Sequence, residues 1–143
     1  MTQTVSVARR IRRPAEDTSA FITDMHKLVP AVSTFKRCEF IGDSDEGQVW
    51  DVFLQSGTLY LGGRVAAHAD DRRLAWRSMR GTRHRFEALV EDDRRGSRLI
   101  LTLSYSLTGL GTARLTELLG RGIVARNLEA AAEEIRHHLE FEH

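Results

Sequence analysis

The stretch LAWRSMRGTRHRFEALV, Leu74 to Val90, decides how the rest of the chain is read. At a period of two it places Leu74, Trp76, Ser78, His84, Phe86, Ala88 and Val90 on one side, and Arg77, Arg83, Arg85 and Glu87 on the other. Such alternation belongs to antiparallel strands with one face on a core and one in solvent, broken here at R-G-T around Gly81. One member is out of place: His84 is a polar ring on the apolar side.

Hairpin turns serve as rulers, because residues equidistant from a turn centre oppose each other and point the same way. A centre between Arg94 and Arg95 pairs Val90 with Leu99, Ala88 with Leu101, Phe86 with Leu103, and His84 with Tyr105. Centring on Gly81 sets Ser78 against His84 and Trp76 against Phe86. A centre between Asp70 and Asp71 adds Ala67, Val65 and Gly63 opposite Leu74, Trp76 and Ser78, and a turn between Ser56 and Gly57 brings Leu54, Val52 and Trp50 against Leu59, Leu61 and Gly63. All four agree on one face, although a slip of one residue turns a strand's side chains over.

Outward from this region, TVSVARRI reads as a first strand stopped by Pro14, and RPAEDTSAFITDMHKLVPAV as a short helix or helix pair broken at Pro30. From Val32 to Thr108 five turn-like breaks separate six strands. The run from Thr112 to Phe141 then carries Leu115, Leu118, Leu119, Gly122, Ala125, Leu128, Ala132, Ile135 and Leu139 on one helical stripe, for a helix roughly 40 Å long. Small residues from Gly120 to Gly122 sit in its middle. Glycine there and at 63 suggests that sheet and helix enclose a cavity instead of a filled core.

The length of 143 residues suits one domain with an ordinary core. A single cysteine, Cys38, and no basic-then-apolar leader point to a reducing cytoplasm, and no apolar run approaches the roughly 18 residues of a membrane span. A net charge of +1 gives no bulk case for nucleic acid or anionic lipid. The basic residues are 19 Arg and 2 Lys, which an arginine-biased genome explains more simply than selection for bidentate donors.

The order strand, short helices, six-strand meander, long C-terminal helix, together with AWRSMRG, resembles the START-like or helix-grip superfamily, and within it the polyketide cyclase/dehydrase and lipid-transport family. The resemblance covers essentially the whole chain, 1–143, as a single ligand-binding domain. It implies an α+β helix-grip fold, a curved seven-stranded antiparallel sheet around a long C-terminal helix with short helices after the first strand. It implies a hydrophobic or amphipathic small-molecule ligand, lipid, polyketide or quinone-like, held between sheet and helix without a cofactor. The chain departs from the family at TRHRFEA, where small residues are common and His84 adds a polar group to the wall.

The expected ligand wall is Trp50, Val52, Leu61 and Gly63 from one hairpin, Trp76, Ser78 and Arg80 from the next strand, His84, Phe86, Leu103 and Tyr105 from the last hairpin, and Leu118, Gly122 and Ala125 from the helix. His84 and Tyr105 are the candidate catalytic pair. An imidazole trades protons near neutrality, a phenol across the ladder polarises a carbonyl, and cyclisation with dehydration needs little more than a folded substrate, one base and one donor. The simpler reading is that the two satisfy each other or a buried water while shaping the pocket. Ser78 has no nucleophile elbow and no inward carboxylate, His137 and His138 have no metal-ligand spacing, and no glycine loop precedes a helix to cradle phosphate.

On the outer face the same rulers line up Arg64, Arg77 and Arg85 across three strands, with Asp51 or Glu87 near enough to relieve the repulsion. A solvated face is the ordinary explanation. Three functions therefore stand side by side: a carrier or sensor of a hydrophobic ligand, a cofactor-independent cyclase or dehydratase, and a protein or RNA interaction module using the arginines. Neither oligomeric state, monomer or homodimer, is favoured by the sequence.

Overall fold

A computed structural model describes residues 2–56, 59–106 and 122–142. Its elements run β1 (Thr2–Ile11), α1 (Ala15–Ile22), α2 (Met25–Ala31), β2 (Phe35–Ser44), β3 (Gly47–Ser56), β4 (Leu59–Ala69), β5 (Arg73–Ser78), β6 (Arg83–Asp93), β7 (Gly96–Ser106) and α3 (Ile123–Phe141). The strands form one antiparallel sheet in the order β1-β7-β6-β5-β4-β3-β2. A meander returned to its own start explains that order: each strand follows its predecessor, and β1 closes beside β7. The curved seven-stranded sheet with a C-terminal helix and two short helices after β1 is the architecture expected from the sequence.

Local chemistry sets the helix starts. Pro14 precedes α1, its carbonyl accepting from the Asp17 and Thr18 N–H groups at 3.0 and 3.2 Å, and Glu16 and Asp17 lie in the positive first turn. Asp24 caps α2 by accepting from the His26 N–H at 2.9 Å. Pro30 stands inside α2, one residue before the helix ends, where loss of its N–H removes a single bond.

The alternation of Leu74 to Val90 is realised as expected. Leu74, Trp76, His84, Phe86, Ala88 and Val90 are buried, while Arg77, Arg83 and Arg85 are exposed. The inner face continues through Trp50, Val52, Val65, Leu99 and Leu101, and packs under Leu128, Ala132, Ile135 and Leu139 of α3 and Phe21, Ile22, Met25 and Leu28 of α1 and α2. Each such Val, Leu, Ile, Phe or Met side chain contributes about 1.5–3 kcal/mol by leaving water.

Two of the four registers agree with the rulers: Trp76 opposes Phe86, and His84, Phe86, Ala88 and Val90 oppose Tyr105, Leu103, Leu101 and Leu99. The other two are displaced. Trp76 pairs with Ala67, not Val65, because the turn closes with the Asp70 N–H on the Arg73 carbonyl at 2.9 Å, moving the centre on by one residue. Trp50 pairs with Val65, not Gly63, for the corresponding reason at Ser56 and Leu59. Moving a centre by one residue shifts partners by two, so every side chain keeps its face.

The C-terminal helix differs more. Gly122 has φ of 62°, a left-handed residue standing immediately before Ile123. A continuous helix cannot pass through that conformation, so the small residue expected at mid-helix stands at the start of α3. Leu115, Leu118, Leu119 and Gly120 lie outside the described residues. At 19 residues, α3 is about 28 Å long. It lies alongside β1, tied by Arg9 to Glu133 at 2.9 Å and by the Arg12 N–H to Glu140 at 3.1 Å.

The opposite edge is irregular. β2 breaks register with β3 between Lys36 and Glu39 and again between Phe40 and Gly42, and Arg37 takes φ of 52°.

Candidate functional site

Between sheet and helix lies an apolar recess, walled by Phe35 of β2, Leu54 of β3, Phe86 of β6, Leu103 of β7, and Leu128 and Ala131 of α3. Thr34, Gln55 and Asn127 add the polar atoms of its lining, and the Asn127 amide donates to the Gln55 carbonyl at 3.4 Å. No titratable side chain lines it among the described residues. Its volume is about 30 Å³, about the share one water takes in the liquid.

Of the described residues of the expected wall, only Phe86 and Leu103 reach this recess. Trp50, Val52 and Trp76 lie within the packed core. Ala125 is half-buried on α3 and Gly122 exposed before it; Leu118 and the side chain of Leu61 lie outside the described part. Ser78, Arg80, His84 and Tyr105 line a second cleft at the Gly81 end of β5, β6 and β7. Sequence reasoning misses Phe35, Leu54 and Ala131 as wall residues. Leu54 is legible as an inward residue, and Phe35 is its partner across the β2–β3 ladder, but the irregular β2 offers no usable ruler.

Gly63 does not provide room for a ligand. With φ of 146°, its hydrogen faces the Arg80–Gly81 backbone so closely that a Cβ would lie 2.2 Å from the Arg80 carbonyl oxygen. Arg64 and Thr82 bond across the same junction, Arg64 N–H to Arg80 O at 3.1 Å and Thr82 N–H to Gly62 O at 3.0 Å. The glycine answers a backbone requirement.

His84 is held on both sides of its ring. The Trp76 indole N–H donates to Nε2 at 3.0 Å, and Nδ1 lies 2.8 Å from the Thr82 carbonyl oxygen. Because indole N–H only donates and a carbonyl only accepts, the proton sits on Nδ1 and the ring is neutral. The Ser78 hydroxyl accepts from the His84 backbone N–H at 3.1 Å. Tyr105 opposes His84 on the ladder, as expected, but the expected mutual bond is replaced by Trp76 and Thr82. With neither ring nitrogen spare, the imidazole has no lone pair for a substrate proton in this arrangement, and the general-base role loses its geometry.

Burial pushes the His84 imidazole below its ordinary value, outweighing the raising effect of the Thr82 bond. The unfolded chain therefore takes up this proton more readily than the folded one, so stability present above the unfolded value of about 6.5 is lost as pH falls through it toward the lower folded value. Urea midpoints are expected to drop from about pH 7 to about pH 5 more steeply in wild type than in His84→Gln; equal slopes would count against a buried neutral imidazole.

Tyr105 has the opposite status. It is 3% exposed, and its hydroxyl has no hydrogen-bond partner among the described residues. Burial raises its pKa, so at neutral pH it is a protonated donor.

The expected arginine line is shorter than the rulers imply. Arg77 and Arg85 oppose each other directly, whereas Arg64 faces the β5–β6 turn and grips Asp51 through two bonds of 3.0 and 3.3 Å. Glu87 serves Arg73 at 2.9 Å, not the line, and Arg77 reaches Glu46 at 3.0 Å.

A long helix laid against a curved antiparallel meander, with an apolar recess between them, defines a helix-grip protein of START-like architecture. The chain belongs to the polyketide cyclase/dehydrase and lipid transport family, whose model matches residues 2–140. Among solved structures it is similar to TTHA0849 from Thermus thermophilus, at 19% identity over 96% of this chain and 97% of that one, with a TM-score of 0.82. It is also similar to the Zhui aromatase/cyclase from Streptomyces sp. R1128, at 15% identity over 98% and 94% with a TM-score of 0.82. A START superfamily protein from Mycobacterium smegmatis follows, at 10% identity over 99% of both chains with a TM-score of 0.72. Likeness at these identities establishes the fold alone. No curated protein matches the chain. No described helix is long and apolar enough to cross a membrane.

Proposed function

We propose that the protein binds a hydrophobic or amphipathic small molecule between the sheet and α3. The observation that carries this reading is the apolar recess at the layer boundary, where Phe35, Leu54, Phe86 and Leu103 of the sheet face Leu128, Ala131 and Ile135 of α3. Ligand pockets commonly enclose about 300–1,000 Å³, so a recess of about 30 Å³ must open, with α3 parting from the sheet as the ligand enters.

Carriage is favoured over catalysis by the lining, in which no acid or base is present among the described residues. A cyclase reading, suggested by the aromatase/cyclase among the similar structures, retains Tyr105 as a hydrogen-bond donor and lacks a free base at His84.

Ala131→Leu is expected to fill the recess, keep the fold at an overpacking cost within about 1–3 kcal/mol, and lower the affinity for an environment-sensitive hydrophobic dye by tenfold or more. Fluorescence titration checks it, with circular dichroism to establish folding; wild-type dye affinity in a folded variant would remove the recess as the binding site. Native mass spectrometry of protein purified from its own host identifies the occupant.

A further inference from the structure

We propose that the cleft at the Gly81 end of β5, β6 and β7 is a binding site for an oxyanion, a phosphate or carboxylate group, independent of the apolar recess. The cleft holds about 480 Å³ and is lined by Arg77, Arg80, Arg83 and Arg85 with no carboxylate among its described lining residues. Arg77 has the one carboxylate partner in the group, Glu46 at 3.0 Å, with both side chains about half exposed. Arg80, Arg83 and Arg85 form no ion pair among the described residues. Arg64 and Arg73, elsewhere on the sheet, are each neutralised locally, by Asp51 and Glu87, whereas Arg80, Arg83 and Arg85 of this cleft are not.

The register concentrates that charge. Arg77 and Arg85 are direct cross-strand partners, a like-charge placement that destabilises a sheet unless an anion relieves it. Planar guanidinium forks suit phosphate and carboxylate oxygens, and accept none of the hydrogen bonds themselves.

Inorganic phosphate titrated into the wild-type protein should give saturable, salt-sensitive shifts of the arginine side-chain and Thr82–Arg85 backbone resonances. The double variant R83Q/R85Q should weaken binding by tenfold or more, while Arg94→Gln, at the far end of β6, leaves it unchanged. Without phosphate, Arg85→Gln should melt no lower than wild type, because removing one of two opposed charges relieves repulsion. Dodecyl phosphate, below its micellar concentration, separates the sources: tighter binding than inorganic phosphate that still depends on Arg83 and Arg85 identifies an amphiphile's head group, and equal binding a free anion. Linear, unsaturable shifts, or affinities unchanged in R83Q/R85Q, overturn the site. So does saturable binding of single-stranded RNA without phosphate binding, which would make the arginines an extended polyanion surface.

Discussion

Gly63→Leu should fail to fold, and Gly63→Ala should lose most of the protein's cooperative unfolding transition. Any Cβ at this position meets the Arg80 carbonyl oxygen at 2.2 Å and the Gly81 Cα at 3.1 Å, both backbone atoms that cannot rotate aside. The junction is reciprocal, since a Cβ on Gly81 would lie 2.2 Å from the Gly62 carbonyl oxygen. Relief requires pulling the β5–β6 turn off β4, breaking the Arg64–Arg80 and Thr82–Gly62 bonds, and mutations that combine backbone strain with lost buried bonds reach the exceptional range above about 4 kcal/mol. Gly122→Ala provides the contrast: no described residue lies within 4 Å of its Cβ, so the left-handed φ is the penalty there, at about 1–2 kcal/mol. Urea denaturation followed by circular dichroism ranks the two. A Gly63→Ala protein with wild-type stability would mean that the turn and β4 do not approach as described.

Trp76→Ala should cost about 3–5 kcal/mol from the cavity alone. Trp76 is 1% exposed, stacks on Phe86 with ring centroids 4.3 Å apart and meets Phe35 edge-on at 5.6 Å. Its removal also leaves the His84 Nε2 acceptor without its donor. Trp76→Phe isolates that second loss: the aromatic packing is largely kept, and the stranded acceptor should cost about 1–3 kcal/mol. The coupling is tested by a double-mutant cycle with His84→Phe, in which the pair should be less damaging than the sum of the singles. Additive effects would mean that the Trp76–His84 bond contributes nothing measurable.

The inner face is legible in the sequence because period-two alternation survives errors that occur in steps of two. The Asp70–Arg73 turn closes one residue later than its composition suggests, yet Trp76 and Ala67 remain inward. What the alternation does not contain is the identity of hydrogen-bond partners within a face. Tyr105, directly opposite, is the expected partner of His84; the bond instead runs along the diagonal to the Trp76 indole, whose reach exceeds the spacing of the ladder. Glycines are ambiguous for a similar reason. A missing side chain signifies either space or contact, and at Gly63 the neighbouring backbone makes it contact. The recess lies at the expected boundary but with a different lining, because on the helix side it is walled by Leu128, Ala131 and Ile135, one turn apart along α3, and on the sheet side by Phe35 of the irregular β2.

The irregular edge at β2 has a bearing on solubility. An open sheet has two terminal strands, and each presents unpaired peptide groups on which another chain can add. β1 is flanked by α3 and its ion pairs. No described helix runs along β2 as α3 does along β1, but its two breaks in register and the left-handed Arg37 bend the strand, and exposed Lys36, Arg37 and Glu39 set charge along it. A neighbouring molecule's strand finds no straight ladder there, and the bends and charges offset the exposed Phe40 and Ile41, which would otherwise invite self-templated polymerisation along this edge.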